Sequence, residues 1–438
     1  MNRGCSQRVF LHDYLASGAR ADTVADLGLG PEHQFSERAL LLSQPEDLVI
    51  VPTPLEPIYL NYLRSLSTEP MFGTTVVPTY CSADKLRNLT VAATRDDALL
   101  AAIAGQLDSG SNVRLSCYYR SVGGEEFASA LRAVSGCDIE VEGGSAAATA
   151  HCNRKELLHS VASCNGIGLA PGGVIKRNPN EQTCDFSLRV KHSVTKVLSN
   201  AERCIVRGCK SQSGLDAIVV ASDALKGSLE EWLFARPAQT HYLVEEFVDA
   251  EDSPNVQAWI NHNGQPEDLA LVTNQRLIDQ LSHFGNSYPV ESSVLQGINE
   301  LTQTLSAWIA QNGYTGSVGY DLIRVNGVSR PLLAEVNSQT NAATYFLSLF
   351  EKLNAARSQM GHPALRAWVS HKKMTIRQRS LEELFDTAGD LLYQPNQAWG
   401  CLPVGSGLVP FGYVMLVTYA DSIEDATALE MEFQKRVS

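Results

Sequence analysis

Residues 316–341 constrain the fold of this chain more than any other stretch. Two apolar runs, Gly-Ser-Val-Gly-Tyr-Asp321-Leu-Ile and Pro-Leu-Leu-Ala-Glu335-Val-Asn337, flank a turn centred on Asn326-Gly327, the pattern of a β-hairpin. Side chains alternate faces along a strand, so Glu335 and Asn337 point the same way. Whether Asp321 joins them depends on the loop. A two-residue Asn326-Gly327 turn pairs Asp321 with Leu332 and puts it on the face opposite Glu335. A three- or five-residue loop sets odd-numbered residues against odd-numbered ones, and the three oxygen-bearing side chains converge. Asn-Gly by itself favours the short turn. Residues 328–331, Val-Ser-Arg-Pro, make a poor start for a paired strand, because proline has no N–H to donate. The longer loop, and convergence, are therefore expected.

Two carboxylates and an amide oxygen on one face suit magnesium, which prefers hard oxygen ligands and usually takes only one or two carboxylates from the protein. The alternative is a solvated hairpin face. Upstream, Cys204-Ile-Val-Arg207-Gly208-Cys-Lys210-Ser211-Gln-Ser213-Gly214 runs from a strand into a Gly/Ser-rich loop with two cations. Loop amides together with Arg207 and Lys210 can cover a polyphosphate, although a plain hairpin with a polar tip has the same pattern. It is not a P-loop: the Gly-Lys-Ser/Thr ending is absent, and an apolar strand follows where a helix would be needed. Between these two elements lies Tyr242-Leu-Val-Glu245-Glu246-Phe247-Val248. Backbone groups there can hold an adenine rim and an acid can reach a ribose hydroxyl, unless the paired acids are simply solvated. His151, His159, His241 and His283 are read as surface or packing residues.

The 438 residues are too many for one core, so roughly two to four units are expected. A net charge of -13 without any Lys/Arg-rich block excludes long nucleic acids as partners, whereas a small anion needs only a few cations. Ten cysteines are scattered singly, with no Cys-x-x-Cys pair, so zinc and redox-dithiol roles lack support. No apolar run reaches the roughly 18 residues of a membrane span. The short Val9-Phe10-Leu11 run is too brief for a signal-peptide core. A cytoplasmic chain with reduced thiols and no membrane partner is expected.

Residues 1–145 read as alternating strands (48–51, 113–119, 138–141) and helices (125–134), an open α/β layer, with no Gly-x-Gly-x-x-Gly fingerprint. Gly143-Gly144-Ser145-Ala-Ala-Ala reads as a linker. Asn153 reads as a helix N-cap with Glu156 three residues on, and that helix should stop near Gly166 or Gly168. Strand signal dominates residues 204–337. Beyond 351 come a helix after Ser380, a Gly/Pro-rich stretch over 400–412, a strand at 413–417 and a closing helix from Ser422.

In this order and spacing the three elements resemble the ATP-grasp superfamily, over roughly residues 150–345. The whole chain is similar, more loosely, to the pheganomycin-type peptide ligases. The resemblance implies an α/β and α+β architecture: an ATP-grasp fold preceded by a Rossmann-like pre-ATP-grasp domain. It divides the chain into a pre-ATP-grasp domain (1–145), a lysine-bearing and glycine-loop subdomain (146–235), a metal-binding subdomain (236–350) and a C-terminal extension (351–438). Carried over by position, Lys155 resembles the first phosphate-contacting lysine, and Arg207 falls where the second is expected, with Lys210 as the other candidate. Ser211, Ser213 and Gly214 belong to the loop over the phosphates. Glu245, Glu246 and Val248 match the adenine hinge, Asn255 and Gln275 fall near ribose- or phosphate-side positions, and Asp321, Glu335 and Asn337 match the magnesium ligands.

The implied cosubstrate is ATP with magnesium, and the implied reaction joins a small-molecule carboxylate to an amine, on amino acids or short peptides. Thr340, Asn341 and Tyr345 are pocket-side candidates. An ATP-grasp phosphotransferase and a nucleotide-binding protein without turnover are the alternatives. Arginine at 207 in place of lysine keeps the charge but changes a point into a planar fork. Many ligases of the family carry an arginine where this chain has Gln339, so Arg276 or Arg324 is the candidate for the missing catalytic cation. Oligomeric state is left open.

Overall fold

The computed structural model describes residues 7–16, 30–79, 88–108, 110–209, 216–221, 228–261, 263–295 and 297–438. Strands β1 (Arg8–Leu11), β2 (Leu48–Ile50), β3 (Thr74–Val76), β4 (Asn112–Cys117) and β5 (Asp138–Val141) form one sheet in the order β3-β2-β1-β4-β5. Every pairing in it is parallel. A parallel sheet is covered on both faces, and Val9, Phe10, Val49, Val113 and Leu115 are all buried. Helix Val122–Ser135 makes the crossover from β4 to β5. Ser121 caps it by accepting from the Gly124 N–H, and Gly136 closes it in the left-handed region.

Strands β6 (Gly172–Lys176), β7 (Arg203–Gly208), β8 (Ala217–Ala221) and β9 (His241–Glu246) form a separate antiparallel sheet, ordered β6-β9-β7-β8. Phe186, Val190 and Val194, spaced four apart on helix Thr183–Leu198, are its core face. Because β9 belongs here, the change of sheet falls between Glu246 and Pro254, not near residue 235.

The third sheet contains β10 (Pro254–Ile260), β11 (Pro266–Ile278), β12 (Ser282–Tyr288), β13 (Gly316–Ile323), β14 (Leu332–Asn337), β15 (Ala367–Thr375), β16 (Gly400–Pro403) and β17 (Tyr413–Ala420). Its order is β14-β13-β10-β11-β12-β15-β17-β16. Helix Ile298–Gln311 buries Leu301, Leu305 and Ile309 against Val256, Val318 and Tyr320. The strands after residue 351 extend the sheet that holds the 316–341 hairpin. The largest core also joins both ends of the chain: Phe10, Phe35 and Tyr59 pack in one cluster with Phe346, Trp368, Tyr419 and Phe433.

Two local expectations are corrected. The 143–148 linker is a Gly-Gly turn followed by helix Ala146–Cys152, because Ser145 caps it through the Ala148 N–H. Asn153 does not cap the next helix, Lys155–Cys164, whose N-cap is Arg154. Asn153 instead accepts from the Ser338 N–H at 2.9 Å and donates to the Ser338 carbonyl at 3.3 Å. It ties the lysine-bearing helix to the end of β14.

The Gly/Pro-rich 400–412 stretch fastens the C-terminal strands to the first domain. Glu37 accepts from the Ser406 N–H at 2.7 Å and the Gly407 N–H at 3.1 Å, while the Gly405 N–H donates to Tyr59 Oη at 2.7 Å. A Cβ at Gly405 would lie 2.5 Å from Glu37 Oε2, and one at Gly407 would lie 2.1 Å from Gln34 Oε1. Only glycine allows this approach. The Glu37 carboxyl is pushed up to about 7 by burial, which outweighs the pull of these N–H groups. Between its ordinary value of about 4.5 and 7, the folded chain therefore binds more protons than the unfolded one. Stability is fully favoured below that window and falls across it as pH rises, by at most about 1.4 kcal/mol per pH unit. Glu37→Gln should remove this component. In urea titrations, the stability of the parent minus that of the variant should decline from pH 4.5 to 7 and then level off.

Candidate active site

The β13–β14 hairpin does bring the three oxygen donors together, by a route the loop alone does not supply. Ile323 pairs with Leu332 and Leu322 with Leu333, odd against even. The register then shifts, and Asp321 pairs with Glu335, Tyr320 with Val336 and Gly319 with Asn337. Ala334 is the extra residue of a β-bulge, which re-aims the side chains beyond it. The connection 324–331 has eight residues, longer than the three or five expected, and its even length alone would leave Asp321 off the Glu335 face; the bulge restores the pairing.

Asp321 lies under a fan of amides. Asn255 Nδ2 and Gln275 Nε2 donate to its Oδ1, and Asn337 Nδ2 donates to its Oδ2 at 3.0 Å. The fan is itself braced: Gln257 donates to Asn255 Oδ1, and Thr344 Oγ1 donates to Gln257 at 2.7 Å. Burial pushes the Asp321 carboxyl up to about 7 and Glu335 adds to the rise, against the pull of Asn255, Lys155 and Gln275. Asn255 and Gln275 thus line the cleft as supports of Asp321.

Lys155 and Arg207 reach this face from the two sides. Lys155 Nζ donates to Glu335 Oε1 at 2.7 Å. Arg207, at the end of β7, donates through Nη2 to Glu245 and through Nη1 to the Ala334 carbonyl at 2.9 Å. Burial opposes the charge on Arg207, but Glu245 raises its pKa above the ordinary arginine value. Of the hinge residues, the Glu246 N–H donates to the Pro171 carbonyl and the Phe247 N–H to the Arg203 carbonyl. The Val248 N–H has no partner among the described residues. Glu245, Glu246 and Val248 all line one cleft with Lys155, Arg207, Asp321, Glu335 and Asn337. That cleft encloses about 1590 Å³, its opening to solvent included. Lys210, Ser211, Ser213 and Gly214 lie outside the described residues.

Neither candidate for the missing cation enters the cleft. Gln275 and Leu277 face it, so strand alternation turns Arg276 the other way. Arg276 there donates to Glu430 and, at 2.9 Å, to the Ser370 carbonyl. Arg324 lies beyond the end of β13, 3.6 Å from Glu251 and 3.8 Å from Asp252. Two other cations do line the cleft, Arg38 from the first domain and Lys372 from β15, together with His283 and Gln339. His283 is thus a cleft residue, and not only a packing one. Arg38 and Lys372 are 334 positions apart in sequence, and no spacing marks them as partners. Tyr345 is not at the surface of the cleft; its hydroxyl is buried against His12 Nδ1 at 2.7 Å.

Comparison with known proteins decides the architecture. Residues 36–133 match the family model of the pre-ATP-grasp domain, and no curated protein matches the chain. Three similar solved structures span nearly its whole length. An ADP complex of purK, N5-carboxyaminoimidazole ribonucleotide synthetase, has a TM-score of 0.55 at 12% identity and covers 99% of this chain and 98% of its own. The same synthetase from Thermus thermophilus has a TM-score of 0.51 at 12% identity, covering 99% of each chain. A biotin carboxylase–β-γ-ATP complex from Campylobacter jejuni has a TM-score of 0.57 at 12% identity, covering 99% and 91%. This is an ATP-grasp fold with a pre-ATP-grasp domain before it.

The donors at the ATP-grasp cleft fit magnesium. Two carboxylates meet on one strand face, an amide lies beside them, and the pKa of Asp321 is raised by burial first and by the neighbouring Glu335 second. A divalent cation would relieve the repulsion between the two carboxylates. Gly319 keeps the face open, since a Cβ there would lie 1.8 Å from Asn341 Nδ2. Gly319→Ala should therefore cost about 1–3 kcal/mol of stability, read as a lower urea midpoint with unchanged m-value. An unaltered midpoint would contradict the close approach.

Proposed function

We propose that this chain is an ATP-dependent ligase that activates a carboxylate as its acyl phosphate and joins it to an amine. The reading rests on one observation above the others: Asp321, Glu335 and Asn337 share a strand face that Lys155 and Arg207 border. ATP-grasp architecture and structural likeness to ADP- and ATP-bound proteins support the same reading.

In this scheme Glu245, Glu246 and Val248 hold the nucleoside end of ATP, and Lys155 and Arg207 orient its phosphates. Bound at Asp321, Glu335 and Asn337, magnesium supplies charge neutralisation beside those phosphates. An oxygen of the substrate carboxylate attacks the terminal phosphorus, the bond to the bridging oxygen breaks, and ADP leaves. The amine nitrogen then attacks the acyl carbon and loses a proton as the carbon–oxygen bond to phosphate breaks. Amino acids or short peptides are the proposed substrates, in the manner of the natural-product peptide ligases the chain resembles. Gln339 in the family's arginine position favours a second reading, phosphoryl transfer that stops short of amide formation.

Asp321→Asn and Glu335→Gln should each lower ADP formation about a thousandfold, near 4 kcal/mol of lost transition-state stabilisation, while circular dichroism stays unchanged. Undiminished turnover in either variant would exclude this metal site. ADP release that depends on an added amine supports ligation, whereas release with an acid or alcohol alone supports the second reading.

A further inference from the structure

The cations of the cleft fall into two groups. Lys155 and Arg207 are each matched to a carboxylate, Glu335 and Glu245 respectively. Arg38 and Lys372 are not. Arg38 lies on the 3-10 helix His33–Leu41 and is only 3% exposed. Its Nε donates to the Phe35 carbonyl at 2.9 Å, and its guanidinium lies 4.7 Å from the Tyr345 ring and 5.0 Å from Phe35. Among the described residues no carboxylate stands within ion-pair distance of it. Lys372 Nζ donates to Tyr14 Oη at 3.2 Å and lies 5.4 Å from that ring; it too has no acidic partner among the described residues. Both lie within 6 Å of the Tyr14 and Phe35 ring centroids and both line the cleft, so the two charges share one end of it.

The neighbouring groups are polar and incompletely satisfied. Gln339 is buried; its Nε2 donates to Tyr118 Oη at 3.2 Å, while its Oε1 has no partner among the described residues. Asn341 Nδ2 is likewise buried without an acceptor among them. His283 cannot supply a negative charge, and its pKa is lowered to about 4 by burial, with Lys372 and Arg38 adding to the effect. Ring faces offset only part of the cost of desolvating a cation. A buried guanidinium is fully matched only by an anion that accepts its forked donors.

We propose that Arg38 and Lys372 form a carboxylate receptor that holds the acid substrate. This rests on the ligase reading for the identity of the substrate, but not for the anion site itself. A planar carboxylate matches the guanidinium fork, and Lys372 adds a point charge on the Tyr14 side. The Tyr14 and Tyr118 rings give the receptor apolar walls for the group attached to the carboxyl carbon. The oxygen of Gln339, two residues past Asn337, is placed to accept a donor from the same substrate.

Calorimetric titration of the full chain without nucleotide tests this, with N-acetylglycine as a carboxylate lacking an amine. Glycinamide serves as an amine lacking a carboxylate, and inorganic phosphate as a competing anion. Saturable binding of N-acetylglycine is expected, weakened about tenfold or more by Arg38→Gln and by Lys372→Met. Arg38→Lys, which keeps charge without the fork, should lose less. Glycinamide should respond to none of the variants. No saturable binding of N-acetylglycine, equal affinity in the variants, or phosphate binding more tightly at the same residues would each overturn the receptor. If Arg38→Gln does not fold, the half-buried Lys372→Met decides alone. A separate Mg-ATP titration of the parent chain tests the ligase reading. Absence of heat there would refute ATP use while the N-acetylglycine result still judges the receptor.

Discussion

Asp321 and Glu335 face each other across neighbouring strands, where like charges repel, and much of the molecule is arranged to tolerate that contact. Three amides converge on Asp321, Lys155 takes Glu335, and both strands lie over a core of Val318, Tyr320 and Val336 that fixes their faces. That repulsion, added to burial, is what a bound cation would relieve in the proposed reading. A hairpin of the same shape without it would be an ordinary sheet edge. Ala334 is central because its bulge creates the pairing and also turns its carbonyl toward Arg207.

Three sheets supply the cleft, and each contributes a different chemistry. The antiparallel sheet of β6 to β9 gives the hinge and Arg207, and the large sheet gives the oxygen donors. The parallel sheet domain gives Tyr14, Arg38 and Tyr118. Precision at such a site requires rigid supports. The clasp of Glu37 on residues 405–407 and the cluster joining Phe10 to Phe433 hold the first domain against the last strands. That union brings Arg38 and Lys372 to the same end of the cleft, which neither end of the chain could do alone.

Much of this was legible in the sequence, at the level of pattern. Short apolar runs marked the strands at 48–51, 138–141 and 413–417, and Ser380 and Ser422 do cap helices. Convergence of Asp321, Glu335 and Asn337 was expected too, but from loop parity. A bulge leaves no composition signal when its extra residue is an alanine. Arg276 could have been excluded from sequence: next to Gln275 on a strand, it cannot share that residue's face. Asn153 carried a capping signature that tertiary structure used to bind Ser338 instead. Arg38 and Lys372 were invisible, because only the shared core of the two chain ends places them together.

Arginine at 207 follows from the same geometry. One terminal nitrogen donates to Glu245 on β9 and the other to the Ala334 carbonyl on β14, so a single planar group spans two of the sheets that line the cleft. A lysine ammonium has donors enough, but no fixed fork with which to hold two acceptors at set directions. Removing the guanidinium would leave Glu245 buried without its counter-charge, the more costly half of any buried pair. Lys155 and Asn153 make a parallel tie, from the helix side to Glu335 and Ser338. Both halves of the fold are thus fastened to β14 within a few residues of its metal-ligand candidates. Movement of either sheet is therefore coupled to the oxygen donors themselves.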